Sequence, residues 1–258
     1  MIKNFIVVAS GKGGVGKSTV SLNLAIALAR FKNLNVGLLD ADIYGPSIPK
    51  MLGIKEKPNL SKSKKMLPYA KFSIKAMSVG NMVPEDKAII WRGPMASGAI
   101  KQLLNDVEWG NLDFLIIDLP PGTGDIHLSL CQSLMITGAV LVSTPQEISL
   151  IDVRKAINML KKVNVPILGV IQNMSYFEIN KKKTFVFGKN GALEESKKQN
   201  LRFLAEIPIF PEISAASDLG IPLTTKKTSC INNIFKEITN ELIDSINENK
   251  KFQTKINS

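Results

Sequence analysis

Residues 11–19 read Gly11-Lys12-Gly13-Gly14-Val15-Gly16-Lys17-Ser18-Thr19, and each residue type in that order has a use around a chain of phosphates. Glycines carry no Cβ, so several backbone N–H groups can crowd round anionic oxygens, and a helix opening at the end of the loop adds the positive end of its dipole. Lys17 supplies charge opposite the β- and γ-phosphates. The Ser18 hydroxyl is placed to ligate the Mg²⁺ that accompanies them. The run satisfies the whole G-x-x-x-x-G-K-S pattern. A glycine-rich turn that merely holds a lysine and a serine is the plainer alternative, and the context argues against it: the apolar run Phe5-Ile6-Val7-Val8-Ala9 precedes the loop and a helical pattern follows it.

Two further apolar runs end in carboxylates. Val36-Gly37-Leu38-Leu39 leads into Asp40-Ala41-Asp42, and Phe114-Leu115-Ile116-Ile117 leads into Asp118. Continuous apolar runs suit parallel strands covered on both faces, and such sheets bind ligands at the carboxyl ends of their strands. Three strands thus deliver the phosphate loop, Asp40 with Asp42, and Asp118 to one edge. Asp118 takes the position of a carboxylate that holds Mg²⁺ through water. Any one of these aspartates alone reads equally well as a helix N-cap; three opposite a phosphate loop do not.

The elements that must hold these groups follow from periodicity. Val20, Leu24, Ala27, Leu28 and Phe31 recur at helical spacing as one apolar stripe. Residues 55–70 are polar, basic and Pro-containing, which predicts an exposed loop or irregular hairpin, and Phe72 to Val79 reads as a strand. Pro94 opens a helix with Ile100, Leu103 and Leu104 on its apolar side. Ala139 to Val142, Val165 to Ile171 and Leu201 to Ile207 supply three more strands. A helix carrying Ile151, Val153, Ile157 and Leu160 joins the first two of them. The alternation predicts an α/β fold, a doubly wound, mostly parallel sheet of about seven or eight strands with helices on both faces. Residues 1–258 form one domain in this reading, ending in a helix over about 229–249 and a disordered tail over 250–258. That helix presents Ile231, Ile234, Phe235, Ile238, Leu242 and Ile246 on one side and Glu237, Glu241, Asp244 and Glu248 on the other. The acidic face predicts packing on the sheet rather than on anionic lipid.

Composition narrows the partners. The chain has 258 residues and a formal charge of +11, yet its lysines are scattered in short groups with no nucleic-acid motif beside them and no aromatic interleaving. They read as solvated faces, so neither a specific nucleic acid nor a membrane is expected. Cys131 and Cys230 lie far apart, outside any metal or redox spacing, which fits a reducing compartment. The first strand begins almost at Met1 and no apolar run nears the span of a bilayer, so a cytoplasmic location is expected. His127, without a visible partner, reads as structural or interfacial rather than catalytic.

The lysine after the first glycine, Lys12, makes the loop resemble the deviant Walker A of the MinD/ParA/NifH class. Within that class, Asp40-Ala41-Asp42-Ile43-Tyr44-Gly45-Pro46-Ser47-Ile48-Pro49 is similar to the first switch of the Mrp (ApbC-like) iron–sulfur carrier ATPases. Trp91-Arg92-Gly93-Pro94-Met95, Asp118-Leu119-Pro120-Pro121-Gly122-Thr123-Gly124-Asp125 and Gln172-Asn173-Met174-Ser175-Tyr176 agree with it, and the likeness runs from about Phe5 to Leu223. The resemblance implies a homodimer with ATP between subunits, the phosphate loop from Gly11 to Thr19 binding the nucleotide and Lys12 reaching the partner's phosphates. It implies that Lys17 acts on the β/γ-phosphates, that Asp42 orients the attacking water, and that Ser18, Asp42 and Asp118 serve Mg²⁺. Gly122 in the second switch would sense the γ-phosphate, and Asn173 would read the adenine with Pro208 near it.

The chain departs from that family at one place. Carriers of the family hold a 4Fe–4S cluster with a C-x-x-C pair shortly after the Asn-Met-Ser segment. Ile179 and Lys182 stand at those positions here. No iron–sulfur ligands are therefore assigned. The leading expectation is an ATP- and Mg²⁺-dependent switch protein of iron–sulfur maturation, partnered by apoproteins or assembly proteins, with a cluster as possible cargo. A MinD/ParA-like positioning ATPase acting on DNA or membrane is the alternative, and a scaffold that uses nucleotide only to dimerise is a third reading.

Overall fold

In β1 (Ile2–Ala9), Ile6 and Val8 enter one apolar cluster while Val7 and Ala9 enter another, so a single strand builds both halves of the core. The computed structural model describes residues 1–82, 93–180, 182–226, 229 and 231–256. β1 lies inside an eight-stranded sheet with β2 (Val36–Asp40), β4 (Ile74–Ser78), β5 (Leu112–Asp118), β6 (Gly138–Ser143), β7 (Ile167–Gln172) and β10 (Phe203–Glu206), all parallel. β3 (Tyr69–Lys71) closes one edge antiparallel to β4. The strand order is β10-β7-β6-β1-β5-β2-β4-β3. The chain therefore winds outward in both directions from β1, which places the crevice for a ligand at the carboxyl ends of the central strands.

Helices α1 (Lys17–Lys32), α2 (Ile48–Met51), α7 (Pro211–Asp218) and α8 (Ile231–Ile256) cover one face. Helices α3 (Gly93–Asn105), α4 (Asp125–Ser133), α5 (Glu147–Lys162) and α6 (Gly191–Lys198) cover the other. The predicted doubly wound α/β fold is thus present. Trp91 and Arg92 of the family-like segments, with Lys181 and Cys230, lie outside the described residues.

Three expectations need correction. α1 is buried all round from Val20 to Ala29, not along one stripe, because α8, itself lying on β7 and β10, packs against α1 from beside it. The terminal helix runs past residue 249 as far as Ile256, into the stretch expected as tail. Lys250 donates from Nζ to Asn4 Oδ1 at 3.2 Å, tying this extension to β1, and Arg202 bridges Glu241 and Glu248 of the same helix. The acidic face of α8 is thereby partly neutralised from within. Among the described residues no helix is long and apolar enough to cross a membrane.

The third correction concerns residues 69–79. The expected loop already contains part of β3 at Tyr69 and Ala70, and the strand expected from Phe72 starts only at Ile74. Lys71 pairs with Ile74, which leaves Phe72 and Ser73 as a two-residue hairpin loop with φ of 50° and 65°. Such a turn needs positive φ at both positions and favours Asn-Gly; an L-residue with a Cβ is strained there by roughly 1–2 kcal/mol. Ser73→Gly should therefore stabilise the protein by about 1 kcal/mol, read as a rise in thermal midpoint of about 2–4 °C. An unchanged or lower midpoint would show that the turn stores no strain.

Candidate nucleotide site

The loop of residues 10–16 passes from β1 to α1 with Gly14 and Gly16 at φ of 82° and 79°, a conformation that side chains with a Cβ rarely adopt. Gly13 and Gly14 are exposed and little stands over them, so their backbone is open to a ligand. Gly11 and Gly16 are small for a different reason. A Cβ on Gly11 would collide with the backbone of Asp152 in α5, and one on Gly16 with the side-chain amide of Asn173. Asn173, just past β7, donates from Nδ2 to the Val15 carbonyl at 2.8 Å. Its carboxamide oxygen stays available beside the loop. Pro208 is buried after β10, and the Ser175 N–H donates to the Ile207 carbonyl at 2.9 Å, so these two segments are tied together.

Lys17 begins α1 and is 6% exposed. Its ammonium donates to Asp118 Oδ1 at 2.8 Å and to Ser18 Oγ at 3.2 Å, and lies 3.5 Å from Asp42 Oδ2. β2 and β5 are neighbours in register, with Asp40 opposite Asp118, which is why the two aspartate-bearing strand ends converge on one ammonium. Burying a charge without a partner is costly, so without nucleotide the carboxylates do for Lys17 what phosphate oxygens would do. Asp118 is fully buried and also accepts from Ser21 Oγ at 2.7 Å, yet its Oδ2 has no hydrogen-bond partner among the described residues. A free carboxylate oxygen beside a hydroxyl and an open glycine loop fits a hydrated Mg²⁺. The donor set is all oxygen, as that hard cation prefers.

Asp40 and Asp42 divide the work in the first switch. Asp40 is fully buried and accepts from Asp42 N at 3.1 Å, Ile48 N at 3.2 Å and Ser78 Oγ at 2.9 Å, so it fastens both ends of the loop between β2 and α2. Burial, and after it the Asp118 carboxylate, push its carboxyl up to about 7, against the donors and Lys17. Asp42 accepts at Oδ1 from the Tyr44 and Gly45 N–H groups at 3.2 and 3.3 Å, which leaves Oδ2 facing Lys17.

The second switch spans Pro120 to Gly124, between β5 and α4. The Gly122 N–H donates to the Ser10 carbonyl at 3.0 Å, with Gly122 at φ of 97°. His127, at 2% exposure, sits under this loop and its Nε2 bonds the Pro120 carbonyl at 2.8 Å. Burial pulls its pKa below the usual range. Because a carbonyl only accepts, Nε2 carries the proton and Nδ1 is a bare acceptor, which is unpartnered among the described residues. Lys12 is half-buried, and its ammonium forms no ion pair among the described residues.

Sequence reasoning missed Ser21 and the bond made by His127. Ser21 carries no signal of its own in the sequence, since Ser18, Thr19 and Asn23 stand around it. Cys131 is buried, and burial pushes its thiol up to about 11, as suits a core position and not a ligand. Ile179 and Lys182 close a separate two-stranded sheet, β8 (Phe177–Ile179) with β9 (Lys182–Thr184), where they form the cross-strand pair next to the turn; both are exposed. Nearby lysines are exposed, as expected of the scattered lysine groups, and two of them also meet rings: Lys183 Nζ lies 3.9 Å from the centre of the Tyr176 ring and Lys189 Nζ 5.2 Å from that of Phe185. Among the described residues no cluster of His, Cys, Asp and Glu is suited to a metal ion.

Comparison with known proteins agrees with this geometry. Residues 1–243 match the ParA family model described as NUBPL iron-transfer P-loop NTPase. The chain is 48% identical over 250 residues to the iron–sulfur cluster transfer protein NUBPL of Dictyostelium discoideum, covering 95% of this chain and 77% of that one. It is 46% identical over 258 residues to the iron–sulfur cluster carrier protein of Pyrococcus abyssi, covering 95% and 87%. Among solved structures, a nucleotide-binding protein of Archaeoglobus fulgidus in complex with ADP superposes with a TM-score of 0.74 at 42% identity, over 85% of this chain and 87% of the other. With a complete phosphate loop, the same doubly wound sheet and a match over nearly its whole length, the chain belongs to the family of NUBPL-type iron-transfer P-loop NTPases.

Proposed function

We propose that this protein is a cytoplasmic, homodimeric, Mg²⁺-dependent ATPase that serves the delivery of iron–sulfur clusters to apoproteins. The observation that carries the reading is the meeting of Lys17, Asp42 and Asp118 on one ammonium at the ends of three strands. The names of the relatives support it over a positioning ATPase that binds DNA or membrane.

In this reading ATP draws the Lys17 ammonium off Asp118 and onto the β- and γ-phosphates. Asp118 and Ser18 would hold a hydrated Mg²⁺, which would supply charge to offset that of the phosphates. Asp42 Oδ2, no longer facing Lys17, orients a water for in-line attack on the γ-phosphorus, and the bond to the β,γ-bridging oxygen breaks to give ADP and phosphate. The unengaged ammonium of Lys12 reaches the nucleotide of the partner subunit. Gly122 exchanges the Ser10 carbonyl for a γ-phosphate oxygen, so hydrolysis releases the second switch. Asn173, with Pro208 close by, receives the adenine.

The cluster is cargo, held on the thiolates of a partner protein, because the β8–β9 hairpin carries none. Anaerobic reconstitution with iron and sulfide, followed by their quantification and by ATP turnover with and without Mg²⁺, tests both halves. Expected are Mg²⁺-dependent multiple turnover and no cluster above background. A stoichiometric cluster that disappears in Cys230→Ser would overturn the partner-thiolate reading, and absence of turnover would overturn the ATPase.

A further inference from the structure

The second switch and the residue before it are fastened by four hydrogen bonds of unequal character. The Leu119 N–H donates to the Val8 carbonyl at 3.1 Å and the Gly122 N–H to the Ser10 carbonyl at 3.0 Å, both toward β1 and the phosphate loop. The Pro120 carbonyl is held by His127 Nε2 at 2.8 Å, and His127 N in turn donates to the Gly124 carbonyl at 3.0 Å. One residue of α4 therefore grips both ends of the Pro120–Gly124 loop, one by its side chain and one by its backbone. Gly122 can reach a γ-phosphate only by giving up Ser10, whereas nothing in that exchange requires the grip of His127 to open.

We propose that His127 is a positioning residue of nucleotide switching: its Nε2–H pins the Pro120 carbonyl as the fixed pivot about which Gly122 turns from Ser10 to the γ-phosphate. The inference rests on the proposed nucleotide reading and adds to it a residue that touches no nucleotide. Its imidazole is buried, and a neutral ring with one N–H is what the site calls for. A Cβ added at Gly13 would stand 4.0 Å from Pro121 Cγ, so the switch runs alongside the phosphate loop, and the Gly122–Ser10 bond joins the two.

The requirement is for one N–H donor at the right reach, which defines the test. His127→Gln keeps a terminal amide donor; His127→Leu keeps bulk and removes the donor. Turnover of Mg-ATP and the affinities for ADP and a slowly hydrolysed ATP analogue are measured on the full chain, with thermal midpoints as a control. His127→Leu should lower kcat at least about tenfold with KM and ADP affinity within about twofold, and should lose the preference for the ATP analogue over ADP; His127→Gln should restore both to within about threefold. A Leu variant as fast and as discriminating as the parent, or a Gln variant as impaired as Leu despite a parental midpoint, would overturn the pivot. If the parent does not turn over ATP at all, the ATPase reading fails, and the analogue-to-ADP preference of the three proteins still decides for or against His127.

Discussion

Lys17→Ala should lower ATP affinity by about 10²-fold or more, whereas Asp42→Asn should keep affinity within about threefold of the parent and slow turnover by about 10²–10⁴-fold. The contrast follows from where each group points. Lys17 carries the only buried ammonium in the loop, and its loss removes charge-assisted bonds to phosphate in the ground state as well as in the transition state. It also leaves Asp118 buried without its counter-charge, which costs about 3–5 kcal/mol of stability. Circular dichroism and a thermal scan should therefore accompany the binding titration. Asparagine at 42 keeps an acceptor for the Tyr44 and Gly45 N–H groups, so the first switch stays in shape while the anionic oxygen that faces the site is lost. Equal losses of affinity in the two variants would refute the division of roles.

Ile179→Cys combined with Lys182→Cys should convert the protein from one that reconstitutes no cluster to one that holds about one 4Fe–4S cluster per dimer, with two thiolates from each subunit. The two positions are directly paired across β8 and β9, which sets their Cβ atoms about 4.5–5.5 Å apart on one face of the hairpin. Both are exposed, so the substitutions disturb no core. Either single variant should bind no more iron and sulfide than the parent. If the double variant also fails, with ATP turnover unchanged, the hairpins of two subunits do not face one another and the dimer must be built another way.

The phosphate-loop motif and the carboxylates near it were legible because their signals are local. A phosphate loop is nine consecutive residues, and Asp42 and Asp118 announce themselves by ending apolar runs. What could not be read is what depends on pairing. β3 is three residues, one half-buried and two exposed, with no period of its own, and exists because β4 offers an edge. Its place outermost, like that of β10 at the other edge, follows from the winding of the whole chain. α1 looked one-sided because the residues that bury its second side, on α8, lie some two hundred positions away. The grip of His127 on Pro120 spans only seven residues, yet a lone histidine carries no mark of the carbonyl it will meet. The absence of thiols at 179 and 182 is plain in the sequence, whereas the seating of Lys183 and Lys189 over aromatic rings requires the hairpin to be formed.

The two-stranded sheet of β8 and β9 shares no ladder with the eight-stranded sheet and is joined to it through the segment after β7. In evolutionary terms, this makes cargo chemistry and the nucleotide engine separately heritable. Side chains at the hairpin tip can drift, losing or regaining metal-binding character in two codon changes, while selection on the folded core and on ATP turnover registers nothing. A lineage whose partner proteins already carry their own thiolates would feel no pressure to retain a second set here.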